Sequence, residues 1–492
     1  MRYILRTLTL AIFGSIVAFA AISNATVWEI RPTVGSDTNG GAFVAGAAGT
    51  DYSQQNAKNT VGNNISTTDA VGTGIATITS ATASFTSAIV GNIIYLTGTG
   101  VTTGWYQVVT FTNSTTIVLD SSPGTFTLAT MNIGGAMATV SAAVAAGVLS
   151  NTFWIRGSSG AYTATSALSL TFLNSNGPMI FNGYGTTRGD GVQAVWTTST
   201  NSIHLVAFGG GGPTNYIFRS IKFTNTALTP LDGIHALSST VSVVTVQNCY
   251  FSGFRYAING NYAVDYQFSL LLLDGVEITT SSSDGVINSA NTVVTESYIH
   301  GNTGYGINIT FFQGQGGLVL RRTVLQSNGA SGAIIDNGVT SQSQVYVDAA
   351  NSAFVSNTAD GLLVSNSHAV TAPPMQVINS IFSGNHGWGI NLTGGGGFYA
   401  WGDFRTNAYY NNTSGTITGG ILPGIGDVSL SASPFNSSTD FGLNSTTGGG
   451  AACKGVGWQA GTLLSAGGAI DIGPVQSAGG GSSPSPVGFV TQ

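Results

Sequence analysis

The sequence predicts an all-β solenoid, in which the chain winds into stacked coils. A short phrase recurs at least seven times, with successive spacings of 28, 27, 21, 26, 29 and 28 residues. Each copy begins at an apolar anchor, and the anchors are Phe223, Phe251, Ile278, Ile299, Leu325, Phe354 and Phe382. The stretches between anchors contain short β-like runs and no helical pattern. A period in the twenties built from short strands is typical of stacked β-coils.

Each coil is predicted to contain two strands joined by a tight turn. Apolar residues follow the anchors at seven or eight positions, as Ile258 follows Phe251 and Ile307 follows Ile299. Gly or Asn lies between them, and both tolerate the positive φ of tight turns. Because side chains alternate along a strand, the residue two before each anchor is expected inside, and those one and three before it outside. Asn recurs three before the anchor, where we expect amide ladders.

The composition agrees with stacked coils. Only 7% of the 492 residues are charged, against roughly 25% in ordinary globular domains. Equivalent positions on neighbouring coils lie about 4.8 Å apart, so repeated like charges would repel. The net charge of −6 and the total of 13 Lys and Arg argue against nucleic acid as a partner. Cys249 falls in the inward series, which predicts a buried free thiol rather than a disulfide.

The N-terminus predicts export. Arg2 and Arg6 precede an apolar stretch that is short for a membrane span, and small residues at Ser23 to Ala25 suit cleavage. The mature protein is therefore expected to be secreted, extracellular or in the cell envelope, without membrane contact. The predicted segments are a signal peptide at 1–25, an N-terminal lead segment at 26–62, a small inserted β-barrel or sandwich at 63–130, the solenoid with its N-terminal capping helix at 131–425, a C-terminal cap at 426–475 and a flexible Gly/Ser/Pro tail at 476–492.

Three motifs carry a resemblance to a known superfamily. They are the Gly- and Asp-containing run 35–41 after Trp28, the Ala-rich helix and strand within 136–162, and Asp471-Ile472-Gly473 near the end. Together they resemble the opening, the N-terminal cap and a closing motif of right-handed parallel β-helices, often called pectate-lyase-like. The resemblance covers most of residues 26–475, and it implies that fold with long glycans as partners. Fold alone does not choose among its lyases, hydrolases, adhesins and phage tailspikes.

Two acids and a histidine are the candidate catalytic residues. Glu277 and Glu296 lie one and three residues before anchors of adjacent coils, which places their Cα atoms about 8 Å apart. A carboxyl separation of about 6.5 to 9.5 Å suits an inverting glycosidase. His300 follows an anchor and can transfer a proton. The alternatives are a surface ion pair of Glu296 with Arg322 and a surface hydrogen-bonding role for His300.

One outward column is the candidate binding surface. Lys222, Tyr250, Glu277 and Tyr298 occupy the position before the anchor on four successive coils. Aromatic faces stack on sugar rings, and charged groups bind hydroxyls or acidic groups. The candidate ligand-binding residues are therefore Lys222, Tyr250, Tyr298 and Arg322. The alternative is an aromatic ladder that only stabilises the sheet.

The remaining polar motifs predict turns rather than a metal or cofactor site. Asp232, Asp284 and Asp360 each precede Gly, and this repetition favours a turn role. The paired Asp-Asp and the Gly-His-Gly of the superfamily's galacturonan hydrolases are absent from the sequence. The histidines share no ligand spacing, so no metal is predicted, and no nucleotide-binding motif is present.

Three functions remain open from the sequence. The first is an exported protein that binds polysaccharide or cell-surface glycan along its sheet, as an adhesin or envelope component. The second is a polysaccharide lyase or glycoside hydrolase that uses Glu277, Glu296 and His300. The third is a phage tailspike or receptor-binding virion protein, against which the signal peptide counts. The sugar, the presence of catalysis and the oligomeric state are left open.

Overall fold

The structure is a computed structural model that describes residues 26–147, 151–170, 178–209, 215–238, 241–260, 268–310, 315–336, 344–366, 375–394, 402–419, 423–458 and 470–476. The predicted signal peptide and nearly all of the predicted tail lie outside these ranges. The chain forms two compact units, residues 1–155 with 176–180 and residues 156–175 with 181–492. Within the described ranges, no helix has the length and apolar character needed to cross a membrane.

The first unit contains a closed β-barrel. Its strands are Thr67–Thr73, Thr77–Thr79, Ile93–Thr97, Gly104–Asn113, Thr116–Leu119 and Thr125–Ile133. The barrel core is apolar and includes Ile94, Val108 and Met131, each fully buried. Alternating apolar residues in short runs separated by Gly and Ser produce these strands, because every second side chain faces the barrel interior.

A short helix in the same unit follows the barrel. It spans Val140–Ala146, and Thr139 caps it by accepting a hydrogen bond from Ala142 N at 3.1 Å. Asp37 accepts hydrogen bonds from the backbone N–H groups of Ala138 and Thr139 at 2.9 and 2.8 Å. The strand Thr26–Ile30 pairs antiparallel with Ala42–Val44 and parallel with Thr152–Arg156. The N-terminal cap of the solenoid stays a prediction.

The second unit contains a β-solenoid built from three sheets, and the strands within each sheet run parallel to one another. The first sheet contains Met179–Tyr184, Asn215–Arg219, Val241–Gln247, Phe268–Asp274, Asn291–Thr295, Gln315–Arg321, Gln344–Ala350, Met375–Ile378 and Gly402–Arg405. The second contains Tyr162–Thr163, Ala194–Thr198, Ile221–Asn225, Tyr250–Ser252, Glu277–Thr279, Tyr298–His300, Val324–Gln326, Ala353–Val355, Ile381–Ser383, Ala408–Tyr410 and Val428–Ser429. The third contains Leu168–Leu170, Val206–Gly209, Ile234–Ser238, Ile258–Asn259, Val286–Asn288, Ile307–Thr310, Ala333–Asp336, Leu362–Asn366, Trp388–Gly394 and Gly415–Ile417.

The predicted anchors form one buried file in the second sheet. Phe223, Phe251, Ile278, Ile299 and Leu325 pair in register from coil to coil, and all are fully buried. The file continues through the last two anchors to Tyr409. Phenylalanines stack within it, with ring centroids 4.7 Å apart in two of the pairs. The predicted stacking of residues some two dozen positions apart is confirmed.

The prediction of two strands per coil is wrong, because each coil has three. A single left-handed residue three before the anchor separates the first-sheet strand from the second-sheet strand, so both appear as one run in the sequence. The members of this corner with positive φ include Ser220, Asn248, Gly275, Glu296, Arg322, Asn351 and Asn379, with φ between 49° and 61°. Asn recurs here because it tolerates this conformation.

The amide ladder lies at a different position, three residues after the anchor. Asn302, Asn328, Asn357 and Asn385 are buried, and each donates its side-chain amide to the carbonyl of the next member at 2.8 to 3.0 Å. The final acceptor is Asn412. The ladder satisfies polar groups inside the coil stack.

Candidate functional site

A repeated clamp links neighbouring coils at the start of the third sheet. Asp284 accepts hydrogen bonds from the backbone N–H of Tyr305 at 2.8 Å and the side-chain amide of Asn308 at 2.9 Å. Asp360 accepts the same pair of bonds from Trp388 and Asn391, at 2.7 and 2.9 Å. These two aspartates bridge coils, as expected for residues with a structural role at a turn.

Glycine lies at the same place in both of these clamps. Gly304 and Gly387 precede the aromatic residue, and a Cβ at either would lie 2.1 or 2.2 Å from an oxygen of the clamp aspartate. A side chain at either position would have to displace the aspartate carboxylate from its present place. In both clamps the aspartate oxygen therefore occupies the space beside the glycine.

Asp232 belongs to a third clamp that departs from this pattern. Asn259 donates to its carboxylate at 2.8 Å, as in the other two clamps. The residue equivalent to the clamp glycine is Arg255, whose guanidinium donates to both carboxylate oxygens at 3.0 and 3.1 Å. A fork of this kind is a strong, geometrically specific interaction. The Asp232 side chain is fully buried, whereas that of Arg255 is 41% exposed.

Two histidines complete this group. His235 Nδ1 lies 2.5 Å from Asp232 Oδ2, and His204 Nδ1 lies 3.5 Å from the same oxygen. The imidazole rings stack with their centroids 4.0 Å apart. The backbone N–H of Asp232 donates to His204 Nδ1 at 3.3 Å, which fixes that nitrogen as an acceptor. We call Asp232, His204, His235, Arg255 and Asn259 the Asp232 centre.

The charges within the Asp232 centre are set by burial and by these contacts. Burial opposes ionisation of Asp232, but hydrogen bonds from His235 and Arg255 outweigh it and hold its pKa below the ordinary value. Burial, with a smaller effect of His235, lowers the pKa of His204 to about 4. The hydrogen bond to Asp232 raises the pKa of Arg255. At neutral pH the centre therefore holds a carboxylate, a guanidinium and a neutral His204.

The Asp232 centre lies at the wall of a pocket of about 360 Å³. The pocket is lined by His204, Leu231, His235, Leu237, Arg255, Tyr256 and Asn259. The guanidinium carbon of Arg255 lies 5.0 Å from the centroid of the Tyr256 ring. A ligand in this pocket meets a cation, imidazoles, a phenol and an amide beside two leucines, which is a set suited to binding and to proton transfer.

The same residues also have the spacing of metal ligands. One atom each from His204, Asp232 and His235 lie within 4.8 Å of one another. However, Arg255 already binds both oxygens of the carboxylate, and its charge opposes a second cation at that place. We therefore interpret the group as an acid–base centre, and the expectation of no metal and no cofactor stays a prediction.

The predicted binding column lies on the second sheet. Lys222, Tyr250, Glu277 and Tyr298 pair in register, and all four are partly exposed. The Lys222 ammonium lies 4.9 Å from the centroid of the Tyr250 ring. Their role in binding stays a prediction.

In the structure the two predicted catalytic acids have different partners, His300 for Glu277 and Arg322 for Glu296. His300 Nε2 lies 3.1 Å from Glu277 Oε1, and the His300 ring stacks on Tyr298 with centroids 3.9 Å apart. Glu296 lies at the left-handed corner and forms an ion pair with Arg322. Both members of each pair are partly exposed, and exposed ion pairs of this kind contribute little. The expected strand geometry for Glu296 is wrong, because the residue lies at the corner before the strand.

The part of this outward column beyond Tyr298 is covered. Val324, Ala353, Ile381 and Ala408 are fully buried, and Phe435, Phe441, Leu443, Cys453 and Ile472 pack on them. Tyr298 lies at the edge of this cover, where it donates to Gln326 and contacts the Phe441 ring at 5.6 Å. Burial, with a smaller effect of Glu277, raises the pKa of Tyr298 to about 12. Tyr298 therefore has less freedom to contact a ligand than Tyr250.

Comparison with known proteins bears on the fold. Residues 232–414 match the family model for the right handed beta helix region. The matched region contains the register-paired anchors from Phe251 to Tyr409 and starts at Asp232. The chain has a right-handed parallel β-helix fold. Comparison with curated proteins found no match.

Several solved structures are similar to this β-helix. The Azotobacter vinelandii mannuronan C-5 epimerase AlgE4 A-module is 16% identical, with a TM-score of 0.42, over 60% of this chain and 82% of that one. The pectate lyase Pel9A is 16% identical, with a TM-score of 0.44, over 69% and 91%. The catalytic domain of a GH87 α-1,3-glucanase in complex with tetrasaccharides is 12% identical, with a TM-score of 0.30, over 85% and 98%.

The sequence contained a signal for the Asp232 centre that linear spacing concealed. His204 precedes Asp232 by 28 residues, and Asn259 follows it by 27, which is one coil in each direction. A search for ligands close together in sequence misses such a group, because the β-helix brings together residues one coil apart. Arg255 at the position of the clamp glycines is the second signal.

Proposed function

We propose that the protein is a polysaccharide lyase whose active site is the Asp232 centre. The observation that carries this proposal is a buried carboxylate that holds His235 and the forked Arg255 at the wall of a pocket. Perturbed titratable groups held in a cleft by specific partners are characteristic of catalytic sites. The resemblance to pectate-lyase-like proteins supports a glycan as the substrate, by analogy of fold.

The proposed reaction is β-elimination in a uronate-containing chain. His235 takes the proton from the carbon next to the sugar carboxyl group, and the electron pair forms a double bond as the bond to the leaving sugar oxygen breaks. That oxygen takes a proton from Tyr256 or from water. Arg255 faces the carboxyl group, where negative charge accumulates in the transition state. Asp232 stays ionised and acts as a positioning residue for His235 and Arg255.

Hydrolysis by a pair of carboxylates has less support at this site. Asp232 is the one acid of the Asp232 centre, and no other acid lines the pocket among the residues that the structure describes. Both inverting and retaining glycosidases require two carboxyl groups across the scissile bond. An elimination that uses a base and a cation therefore fits the pocket better.

A glycan-binding protein without catalysis is the second candidate. The partly exposed Lys222, Tyr250 and Glu277 in register on successive coils favour it, because an extended glycan can contact several coils at once. An adhesin and an envelope component are both forms of this candidate, whereas a tailspike is a separate alternative against which the predicted signal peptide counts. We propose export for either function, on the basis of residues 1–25.

The test uses purified protein with pectate, mannuronan and α-1,3-glucan. Unsaturated product is followed by ultraviolet absorbance, and retention by affinity electrophoresis. We expect unsaturated product from an acidic polysaccharide, and at least a hundredfold lower rate in His235→Gln, because a positioned base contributes about 10² to 10⁴ in rate. The matched control is His300→Gln on the second sheet, which should retain the rate.

Other outcomes separate the candidates. Retention without product, weakened in Tyr250→Ala, would favour the binding protein over the lyase. Loss of product in His300→Gln but not in His235→Gln would place the chemistry at Glu277 and His300. Reducing ends without unsaturated product would indicate hydrolysis and contradict the elimination.

A further inference from the structure

Three aromatic residues occupy one file along the start of the third sheet. On the third sheet, one buried residue of each coil pairs in register with that of the next, from Ile234 to Ile390. The file consists of the residues two positions before these, which are Asp232, Tyr256, Asp284, Tyr305, Ser331, Asp360 and Trp388. Backbone hydrogen bonds of 2.9 to 3.3 Å join several of these neighbours, for example Gly285 N to Tyr305 O and Gly361 N to Trp388 O. The file therefore runs parallel to the solenoid axis.

The file contains four buried small or acidic residues and three partly exposed aromatic ones. Asp232, Asp284, Ser331 and Asp360 are at most 7% exposed. Tyr256, Tyr305 and Trp388 are partly exposed. The aromatic rings are thus the side chains of this file that a ligand outside the coils can contact.

The clamps hold these aromatic residues in place. Asp284 binds the backbone N–H of Tyr305, and Asp360 binds that of Trp388. Gly415 is the register partner of Trp388 on the next coil, and a Cβ there would lie 2.6 Å from the Trp388 ring. The ring therefore lies against glycine backbone. Rigid aromatic residues lose little conformational entropy when they bind.

The first aromatic residue of the file lines the pocket of the Asp232 centre. Tyr256 lies beside Arg255, and both contribute to the pocket wall. Tyr305 is two coils beyond it and Trp388 five coils beyond it. At about 4.8 Å per coil these distances are about 10 and 24 Å along the axis. The rise per coil is close to the advance per sugar in an extended polysaccharide.

We propose that Tyr256, Tyr305 and Trp388 form a binding track for an extended glycan that leads into the Asp232 centre. The polymer lies parallel to the solenoid axis, with about one sugar per coil, and its rings stack on the three aromatic side chains. This inference rests on the proposed function for its ligand. It adds the direction of the polymer and the subsites that make binding depend on length.

The test measures affinity as a function of oligomer length. The probes are oligogalacturonates and oligomannuronates of two to eight residues, titrated calorimetrically into His235→Gln protein so that they are not degraded. We expect affinity to rise up to about six residues, which is the number that spans Tyr256 to Trp388 at one sugar per coil. Trp388→Ala in the same background should weaken binding of six-residue oligomers about tenfold and leave dimers unchanged.

Three further variants isolate the stacking contribution. Trp388→Phe keeps an aromatic face and should restore most of the affinity for six-residue oligomers. Unchanged binding of dimers by Trp388→Ala separates the loss of this ring from a loss of folding. Tyr250→Ala on the second sheet tests the competing surface, and the track predicts that it changes no oligomer's affinity. Tyr305→Ala should weaken the binding of oligomers of three residues or more, which span Tyr256 to Tyr305 at one sugar per coil.

The outcomes distinguish this track from the proposed function itself. Binding of the oligomers with no dependence on length, or with equal affinity in Trp388→Ala, would overturn the track and leave the lyase intact. Binding weakened by Tyr250→Ala instead would move the track to the second sheet. No binding of any oligomer by a protein that also forms no unsaturated product would overturn both.

Discussion

Arg255 is the residue that distinguishes the Asp232 centre from the two other clamps. In those clamps the position is a glycine, and the aspartate oxygen lies where the Cβ of any other residue would be. At Arg255 the chain instead supplies a guanidinium that occupies both carboxylate oxygens and lines the pocket. One difference at an equivalent position thus separates a structural bridge between coils from a site whose side chains can bind a ligand and transfer a proton.

His204 predicts a specific dependence of stability on pH. Its pKa is about 4 in the folded protein, below the ordinary 6.5, chiefly because of burial. Between these values the unfolded chain binds more protons, so the free energy of unfolding falls as pH falls from about 6.5 to about 4. The loss is on the order of 2 kcal/mol after allowance for partial exposure. Asp232 acts in the same direction at lower pH, because its folded pKa is also depressed.

Denaturant unfolding at pH 7 and pH 5 measures this dependence. We expect His204→Asn to flatten it, because the variant has no group that titrates at this position. His386→Asn is the control, since His386 is exposed. If the free energy of unfolding of His204→Asn still fell by the full amount between pH 7 and pH 5, the assignment of a buried neutral imidazole to His204 would be wrong.

At the scale of elements, the buried asparagine ladder predicts a large effect of one substitution. Asn357 is fully buried and bonds to Asn328 and Asn385 on the coils to either side. Asn357→Ala leaves their polar groups without partners, and we expect a loss of about 3 kcal/mol in the free energy of unfolding. The control Asn351→Gly should change it by less than about 1 kcal/mol, because glycine adopts the positive φ of that corner freely. Equal losses in both, measured by chemical denaturation, would contradict the ladder.

The sequence predicted seven of the strands of the second sheet and the position of the third sheet. The anchors and the apolar pairs that follow them recur with enough regularity to place the buried files. The first-sheet strands were missed because one left-handed residue, such as Asn248 or Glu296, turns the chain without a Gly-Pro or polar loop signal. The same corner made Asn recurrence resemble a ladder, whereas the true ladder lies at Asn302 and its successors.

The candidate site was predicted less well, for a related reason. The sequence pointed to Glu277, Glu296 and His300. Glu277 pairs with His300 on the second sheet, and Glu296 pairs with Arg322 at the corner before that sheet. The repetition of Asp-Gly favoured a turn role for Asp284 and Asp360, whose carboxylates accept hydrogen bonds from the next coil. The same repetition concealed the difference at Asp232, because the residues that set it apart, His204 and Arg255, lie on the coils before and after it.

At the scale of the whole solenoid, the faces of the coils offer different surfaces. The second sheet carries its outward column from Lys222 to Tyr298, and its remaining part lies under residues that include Phe435 and Phe441. The start of the third sheet carries the pocket and the aromatic file. A polymer that contacts many coils can lie along only one of these faces, and the pocket with its aromatic file favours the third sheet.

The structure of the His235→Gln variant with a bound acidic hexasaccharide tests this placement most directly. We expect sugar density along the start of the third sheet, with a carboxyl group within hydrogen-bond distance of Arg255 and rings stacked on Tyr305 and Trp388. Sugar density along Lys222, Tyr250 and Tyr298 on the second sheet, with the pocket at Arg255 unchanged, would contradict the placement of the polymer at the third sheet.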